Sequence, residues 1–167
     1  RKYDSAQYLD IVEKLRGAKE GKISVTTDIM VGFPCEKEDH HKHSLDFIEK
    51  CKLDNLHIFK YSKRKNTRAV DFPEQVEDSF KKNRAKDMEK LRNQLHLNFQ
   101  KEMIGEKTLV LIEKVEEKFA LGYSDNYLKV KIVGATKELE NNSIYSVDIK
   151  GIEKNLLIGE ISNGLPV

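Results

Sequence analysis

Ile23-Ser24-Val25-Thr26-Thr27-Asp28-Ile29-Met30-Val31-Gly32-Phe33-Pro34 is dense in apolar and β-branched residues and is closed by a glycine and a proline. A run of that kind is expected to be a strand of a parallel sheet, covered on both faces and central in its layer. Alternation places Ile23, Val25, Thr27, Ile29 and Val31 on one side, and Ser24, Thr26, Asp28 and Met30 on the other. The second side is polar where a core strand would be apolar. A carboxylate inside a buried strand is costly without a partner, so Asp28 is expected either to face a ligand-lined interior or to pair with a structural Lys or Arg at a wet strand end.

Outward from this strand, Asp4 or Ser5 is placed to cap a helix with Tyr8, Ile11, Val12 and Leu15 at helical spacing and Gly17 at its end. After Pro34, residues from about Glu38 to Cys51 place His41, Leu45 and Ile48 on one helical face. Leu53 to Tyr61 reads as a second strand centred on Leu56-His57-Ile58-Phe59. Helix, strand, helix, strand implies parallel pairing through right-handed crossovers.

Beyond Tyr61 the chain turns basic. Lys60, Lys63, Arg64, Lys65 and Arg68 lie in a stretch with no acidic residue between Asp54 and Asp71, with Asn66 as a turn residue. A basic loop at the C-terminal end of a parallel strand suits phosphate or RNA backbone, and it equally describes a solvated surface loop. Glu74 to Gln100 lacks Gly and Pro and repeats apolar residues at Phe80, Met88, Leu91, Leu95 and Phe99, as expected for one long helix or two in sequence.

Past Gly105 the period becomes that of β structure. Thr108–Glu113, Tyr127–Ile132, Ser143–Ile149 and Leu156–Ile161 read as short antiparallel strands of a small barrel. In the second, Leu128, Val130 and Ile132 form the core face, and Tyr127, Lys129 and Lys131 the outer one. With Tyr123 and Asn126 in the preceding turn, this is a surface for stacking on bases and pairing with phosphates, or an ordinary outer barrel face.

Composition narrows the class. Of 167 residues, 35% are charged and 38% hydrophobic, and 30 basic side chains nearly cancel 28 acidic ones to leave a net charge of +2. That is a globular chain whose charge clusters are more informative than its total. No apolar run reaches membrane-spanning length, so no membrane partner and a cytoplasmic location are expected. Cys35 and Cys51 are too few for a disulfide framework and match no metal-ligand spacing. His40, His41 and His43 are adjacent, but helical geometry turns them in different directions, so no metal site is expected there. The chain begins with Arg1 rather than Met, as expected of a fragment.

Thr27-Asp28-Ile29-Met30-Val31-Gly32-Phe33-Pro34 with Glu36, then Ser44-Leu45-Asp46-Phe47-Ile48, then Leu56-His57-Ile58-Phe59-Lys60-Tyr61-Ser62-Lys63-Arg64-Lys65-Asn66-Thr67-Arg68-Ala69, closely resemble the radical S-adenosylmethionine methylthiotransferases. Gly122-Tyr123-Ser124-Asp125-Asn126-Tyr127 and the strands around it look like the TRAM module of that family. The resemblance implies an α/β chain: the second half of a partial TIM-like barrel over residues 1–72, a helical connector over 73–102, and a small antiparallel, OB-like TRAM β-barrel over 103–163. It implies S-adenosyl-L-methionine and two 4Fe-4S clusters in the full-length enzyme, tRNA as substrate, and the missing N-terminal part of the same enzyme as a partner. Thr26 and Asp28 are implied as cofactor-binding residues. Lys63, Arg64, Lys65, Arg68, Tyr123, Asn126, Tyr127, Lys129 and Lys131 are implied as RNA-binding residues.

The subgroup most resembled acts on threonylcarbamoyladenosine beside the tRNA anticodon; a type acting on isopentenyladenosine and a stand-alone RNA-binding protein without catalysis are the alternatives. The chain departs from the family at Cys35, where Gly is usual, and at Asn66, Arg68 and His41. It also lacks the family's cluster-binding cysteine motif, so no catalytic residue and no cluster are expected in these 167 residues taken alone.

Overall fold

The computed structural model describes residues 3–17, 22–134 and 139–162; Arg1 lies outside them. In chain order the elements are α1 (Ser5–Gly17), β1 (Thr26–Val31), α2 (Glu38–Cys51), β2 (Asn55–Lys60), a 3-10 turn (Arg68–Asp71), α3 (Asp78–Glu102), β3 (Lys107–Val115), β4 (Phe119–Ser124), β5 (Lys129–Val133), β6 (Ile144–Glu153) and β7 (Leu156–Ile161). They divide into two compact units, residues 1–96 and 97–167, with α3 contributing to both.

In the first unit β1 and β2 pair in parallel, with Thr26 opposite Asn55, Asp28 opposite His57 and Met30 opposite Phe59. The α1 helix opens on a reciprocal cap. The Asp4 carboxylate accepts from the Gln7 amide at 2.9 Å, and the Gln7 side chain accepts from the Asp4 amide at 3.0 Å. Val12 is buried and Tyr8 and Leu9 pack beside it, while Ile11 and Leu15, placed inward by the sequence pattern, are exposed. The same helix supplies Arg16, whose guanidinium holds the buried Asp54 carboxylate at 3.0 and 3.1 Å. Asp54 also accepts from the Val25 amide at 2.6 Å, and its own amide donates to the Val25 carbonyl at 2.9 Å. One carboxylate therefore fastens α1, the start of β1 and the start of β2 together. The core of this unit is Val31, Ile48, Cys51, Leu53, Leu56, Ala85, Met88 and Leu95 around Val12.

Burial differs from expectation at β1. Its residues from Thr26 to Val31 alternate exposed and half-buried until Val31 is fully covered. Among the described residues the sheet has only two strands, so β1 is not a central strand. Its polar side faces solvent, and Asp28 is exposed rather than buried.

The second unit is a closed barrel in the order β3-β4-β5-β7-β6. Its pairings are antiparallel except β5 with β7, which is parallel, so the barrel is mixed rather than wholly antiparallel. Inward residues alternate along every strand, and Val110, Ile112, Ala120, Val130, Ile132, Tyr145, Val147, Ile149 and Leu157 fill the interior with Phe99 and Met103. The β4 strand has no counterpart in the pattern-based reading. Its glycine is forced, because a Cβ at Gly122 would lie 2.2 Å from the Leu111 carbonyl oxygen of the neighbouring strand.

Candidate functional site

In the first unit the parallel register sets Thr26 beside Asn55, Asp28 beside His57, and Met30 beside Phe59 on one open face. Thr26, Asp28, Met30, His57 and Phe59 are all exposed. Asp28 has no hydrogen bond or ion pair among the described residues, so it does not serve as the partner of a structural Lys or Arg there. It also lines a cavity of about 270 Å³ with Tyr8, Thr27, Phe47, Ile48 and Leu53. A carboxylate, a hydroxyl, an amide and an imidazole beside two large apolar side chains can receive a polar ligand that also carries a flat apolar ring.

The turn that ends β1 is held from several sides. One oxygen of Glu36 accepts from the Gly32 amide at 2.7 Å and the Phe33 amide at 3.2 Å. The other accepts from Arg84 at 3.2 Å, and Arg84 also donates to the Glu36 carbonyl at 3.0 Å. Gly32 has φ +74, and a Cβ there would lie 2.3 Å from Lys81 Cγ, so both the backbone and the packing of α3 require glycine. Phe33 meets Tyr61 and Phe72 edge-on, with ring centroids 5.3 and 6.1 Å away. Cys35 occupies the left-handed region at φ 66 and Asn66 at φ 64, which is the backbone glycine adopts most easily. Both departures from the family pattern therefore keep a glycine-like conformation.

Lys63, Arg64, Lys65 and Arg68 are exposed and have no ion-pair partner among the described residues. Thr67 closes their loop by donating to the Arg64 carbonyl at 2.8 Å. Lys65, Asn66, Thr67 and Arg68 line an open hollow of about 560 Å³ that Asp71 also borders. Four unpaired cations just beyond the C-terminal end of β2 can hold an anionic chain.

In the second unit Tyr123 on β4 stands opposite Lys129 on β5, and Leu121 opposite Lys131. The strand begins at Lys129, not at Tyr127. Tyr127 sits in the β4–β5 turn with φ 59 and is 87% exposed, so it does not share a strand face with the lysines. The turn is tightly held. Tyr127 donates its amide to the Ser124 carbonyl at 2.9 Å, Leu128 donates to Ser124 Oγ at 3.1 Å, and Asp125 donates to the Leu109 carbonyl at 3.1 Å. Thr108 Oγ1 also donates to the Asp125 carboxylate at 2.8 Å. An aromatic ring is thus presented to solvent on a fixed backbone that a bulky residue adopts only at a cost. Asn126 is half-buried in the same turn. Lys129 has no ionic partner among the described residues, whereas Lys131 reaches Glu153 at 3.4 Å and lies 5.4 Å from the Phe119 ring centroid.

The cysteines and the three histidines of α2 contribute to neither surface. Cys51 is buried in the first unit's core, and burial pushes its thiol above the usual range, while Cys35 is exposed and donates to the Pro73 carbonyl at 3.4 Å. His41 is buried with Nε2 3.3 Å from Asp87, and His40 and His43 are exposed on α2. Among the described residues no three His, Cys, Asp or Glu side chains are grouped to hold a metal ion. None of the described helices is long and apolar enough to cross a membrane.

No protein-family model matches the chain. Curated relatives do. The chain is 34% identical over 163 residues, 96% of its length, to a threonylcarbamoyladenosine tRNA methylthiotransferase of Chlamydia pneumoniae. It is a relative of part of the tRNA methylthiotransferases. A second protein of that name, from Bacillus subtilis (strain 168), is 34% identical over 80% of the chain. A tRNA-2-methylthio-N(6)-dimethylallyladenosine synthase of Thermoanaerobacter sp. (strain X514) is 38% identical over 71% of it. The chain spans 25%, 31% and 38% of the Thermoanaerobacter, Bacillus and Chlamydia relatives respectively.

The cofactor-side candidates Thr26 and Asp28 and the basic loop belong to one unit of this methylthiotransferase relative, and the Tyr123–Lys131 candidates to the other. Glu36, Lys81 and Arg84 were not singled out by sequence reasoning for any role. Glu36 lies four residues after Gly32, a spacing that permits a carboxylate to reach back to the amides of a turn. Lys81 and Arg84 carried no such signal, because charged residues on a long charged helix are ordinarily solvated.

Proposed function

We propose that this chain is the C-terminal part of a tRNA methylthiotransferase that adds a methylthio group to C2 of N6-threonylcarbamoyladenosine at position 37 of tRNA. The observation that carries the reading is the 34% identity extending over 96% of the chain to a relative of that name. The higher identity of 38% to a dimethylallyladenosine synthase favours, as second reading, the same reaction on that base.

In this reading Thr26 and Asp28, with Asn55 and His57 beside them, receive S-adenosyl-L-methionine. The donor set suits that group: Asp28 and Thr26 can bond ribose hydroxyls or an amino group, and Met30 and Phe59 offer apolar surface to an adenine ring. When bound, the cofactor supplies the methyl group and the radical chemistry that the resemblance implies. Iron–sulfur clusters do not fit the thiols present, since Cys51 lies in the core and Cys35 alone is accessible. Both 4Fe-4S clusters therefore belong to the rest of the enzyme in this reading. Lys63, Arg64, Lys65 and Arg68 steady the RNA backbone, and Tyr123, Asn126, Tyr127, Lys129 and Lys131 form the interface of the barrel unit.

Separable effects on cofactor and RNA test this division. In the full-length protein Asp28→Asn is expected to weaken S-adenosylmethionine binding with little change in tRNA affinity, and replacing Lys63, Arg64 and Lys65 by alanine the reverse. Calorimetry with the cofactor and anisotropy with labelled tRNA read the two arms. Tight cofactor binding by Asp28→Asn would remove Asp28 from the site.

The barrel interface makes its own prediction. Tyr127→Ala is expected to weaken tRNA binding by about 1–3 kcal/mol if a base stacks on the ring. Replacing Lys129 and Lys131 by alanine lowers the slope of log affinity against log salt by about 0.7–0.9 for each phosphate that is no longer neutralised. Lys129 accounts for most of that change, because Glu153 already partners Lys131. Affinity and slope unchanged in all three variants would place the RNA surface elsewhere.

A further inference from the structure

Outward positions on a barrel strand are ordinarily polar, since alternation hands the apolar ones to the interior. Among the described strand residues of this barrel, the large apolar side chains that are exposed by a third or more lie together. Leu111 on β3 lies directly opposite Tyr123 on β4 and Ile144 on β6, and Tyr123 lies opposite Lys129 on β5. Directly opposed residues share a face, so Ile144, Leu111, Tyr123 and Lys129 form one row across four neighbouring strands. At about 4.8 Å per strand the row is about 14 Å long. Leu109, two residues before Leu111, widens it. These four apolar side chains are 36–43% exposed, while Val110 and Ile112 between and beyond them are fully buried. Single exposed apolar residues need no explanation, but contiguous ones on one face do.

We infer that the row Ile144–Leu111–Tyr123–Lys129, with Leu109, is a platform for unpaired RNA bases, so that the barrel unit takes single-stranded or loop RNA rather than duplex. This rests on the reading that the barrel binds RNA and names the form of RNA it takes. The occupant follows from what adjoins the row. At one end stands Lys129, a cation without an ionic partner among the described residues, suited to a phosphate. The β4–β5 turn that presents Tyr127 is pinned to the same patch through the Asp125 amide and the Leu109 carbonyl. Flat apolar surface bordered by a free cation and a fixed exposed aromatic ring complements splayed bases joined by phosphates. A duplex offers this surface only sugars and phosphates, and its stacked bases would gain nothing from Leu109, Leu111 or Ile144.

The test compares an RNA hairpin carrying an unpaired loop with the blunt duplex of the same stem, each fluorescently labelled and titrated with the whole 167-residue chain. The wild-type chain is expected to prefer the hairpin. Leu111→Ser with Ile144→Ser is expected to lower hairpin affinity about tenfold and to leave duplex affinity and the salt slope unchanged. If that pair of changes unfolds the barrel, as read by thermal melting, Leu111→Thr alone carries the test, since threonine is at home in a strand. Hairpin affinity unchanged in the row variants, while Lys129→Ala still lowers it, would overturn the platform and leave the RNA reading standing. No effect from either set would overturn the reading that the barrel unit binds RNA. A chain that dimerises through this face, and becomes monomeric in the double variant with hairpin affinity intact, would also overturn the platform.

Discussion

Replacing Glu36 by alanine is expected to destabilise the first unit by about 3–5 kcal/mol, read as a lower urea midpoint by far-ultraviolet circular dichroism. The size follows from what the carboxylate leaves behind. Arg84 is 7% exposed at its side chain and its Nε already has no partner, so removing Glu36 leaves a buried cation with only the residue-36 carbonyl and the more distant, exposed Glu38 carboxylate at 3.9 Å. The Gly32 and Phe33 amides lose their acceptor at the same time. Glu36→Gln keeps an acceptor for those amides and is expected to cost less. Replacing Glu36 and Arg84 together by methionine is expected to cost less than the sum of the single changes, because it leaves no charge behind. A Glu36→Ala variant within about 0.5 kcal/mol of wild type would show that the turn after β1 does not depend on this clamp.

Phe99→Ala is expected to cost about 3–5 kcal/mol in the barrel unit, because the ring is almost fully buried in a closed interior that cannot collapse around the void. Phe80 on the same helix is the control. It is 53% exposed, and Phe80→Ala is expected to change stability by no more than about 0.5 kcal/mol. Equal losses for the two variants in thermal melting would contradict the placement of Phe99.

That contrast shows where the pattern of α3 was and was not legible. Met88, Leu91, Leu95 and Phe99 follow the helical stripe and pack inward, but at the helix start the inward places go to Lys81 and Arg84. Their aliphatic stems bury while the charged ends find Asp78 and Glu36. No pattern of apolar residues announces such an arrangement, since it depends on a carboxylate 48 positions away. The α2 helix was legible to the residue, with acidic side chains in its first turn and Lys50 in its last. The parallel order of β1 and β2 followed from the intervening helix. The exposure of Asp28 did not, because burial depends on how many strands surround β1, which alternation along one strand cannot report.

The barrel divides in the same way. Strand alternation in β3, β5, β6 and β7 is local and was readable. The β4 strand, Phe119–Ser124, was hidden because Gly122 resembles a turn signal, although its lack of a side chain is what lets β3 approach. The parallel β5–β7 pairing joins segments far apart in sequence and has no local signature. Within the candidate interface, residue types pointed to Tyr127 and Lys129 correctly as outward-facing. The left-handed backbone of Tyr127 was not readable, and neither was the Glu153 partner that occupies Lys131.

The central claim, that this chain is part of an enzyme adding methylthio groups to a tRNA adenosine, is tested most directly by mass spectrometry of tRNA nucleosides. The comparison is between a strain lacking the gene and the same strain with the full-length gene restored. The account predicts that the methylthio form of threonylcarbamoyladenosine disappears in the first and returns in the second. If the methylthio form of dimethylallyladenosine tracked the gene instead, the substrate would change and the reaction would stand; tRNA methylthiolation indifferent to the gene would contradict the account.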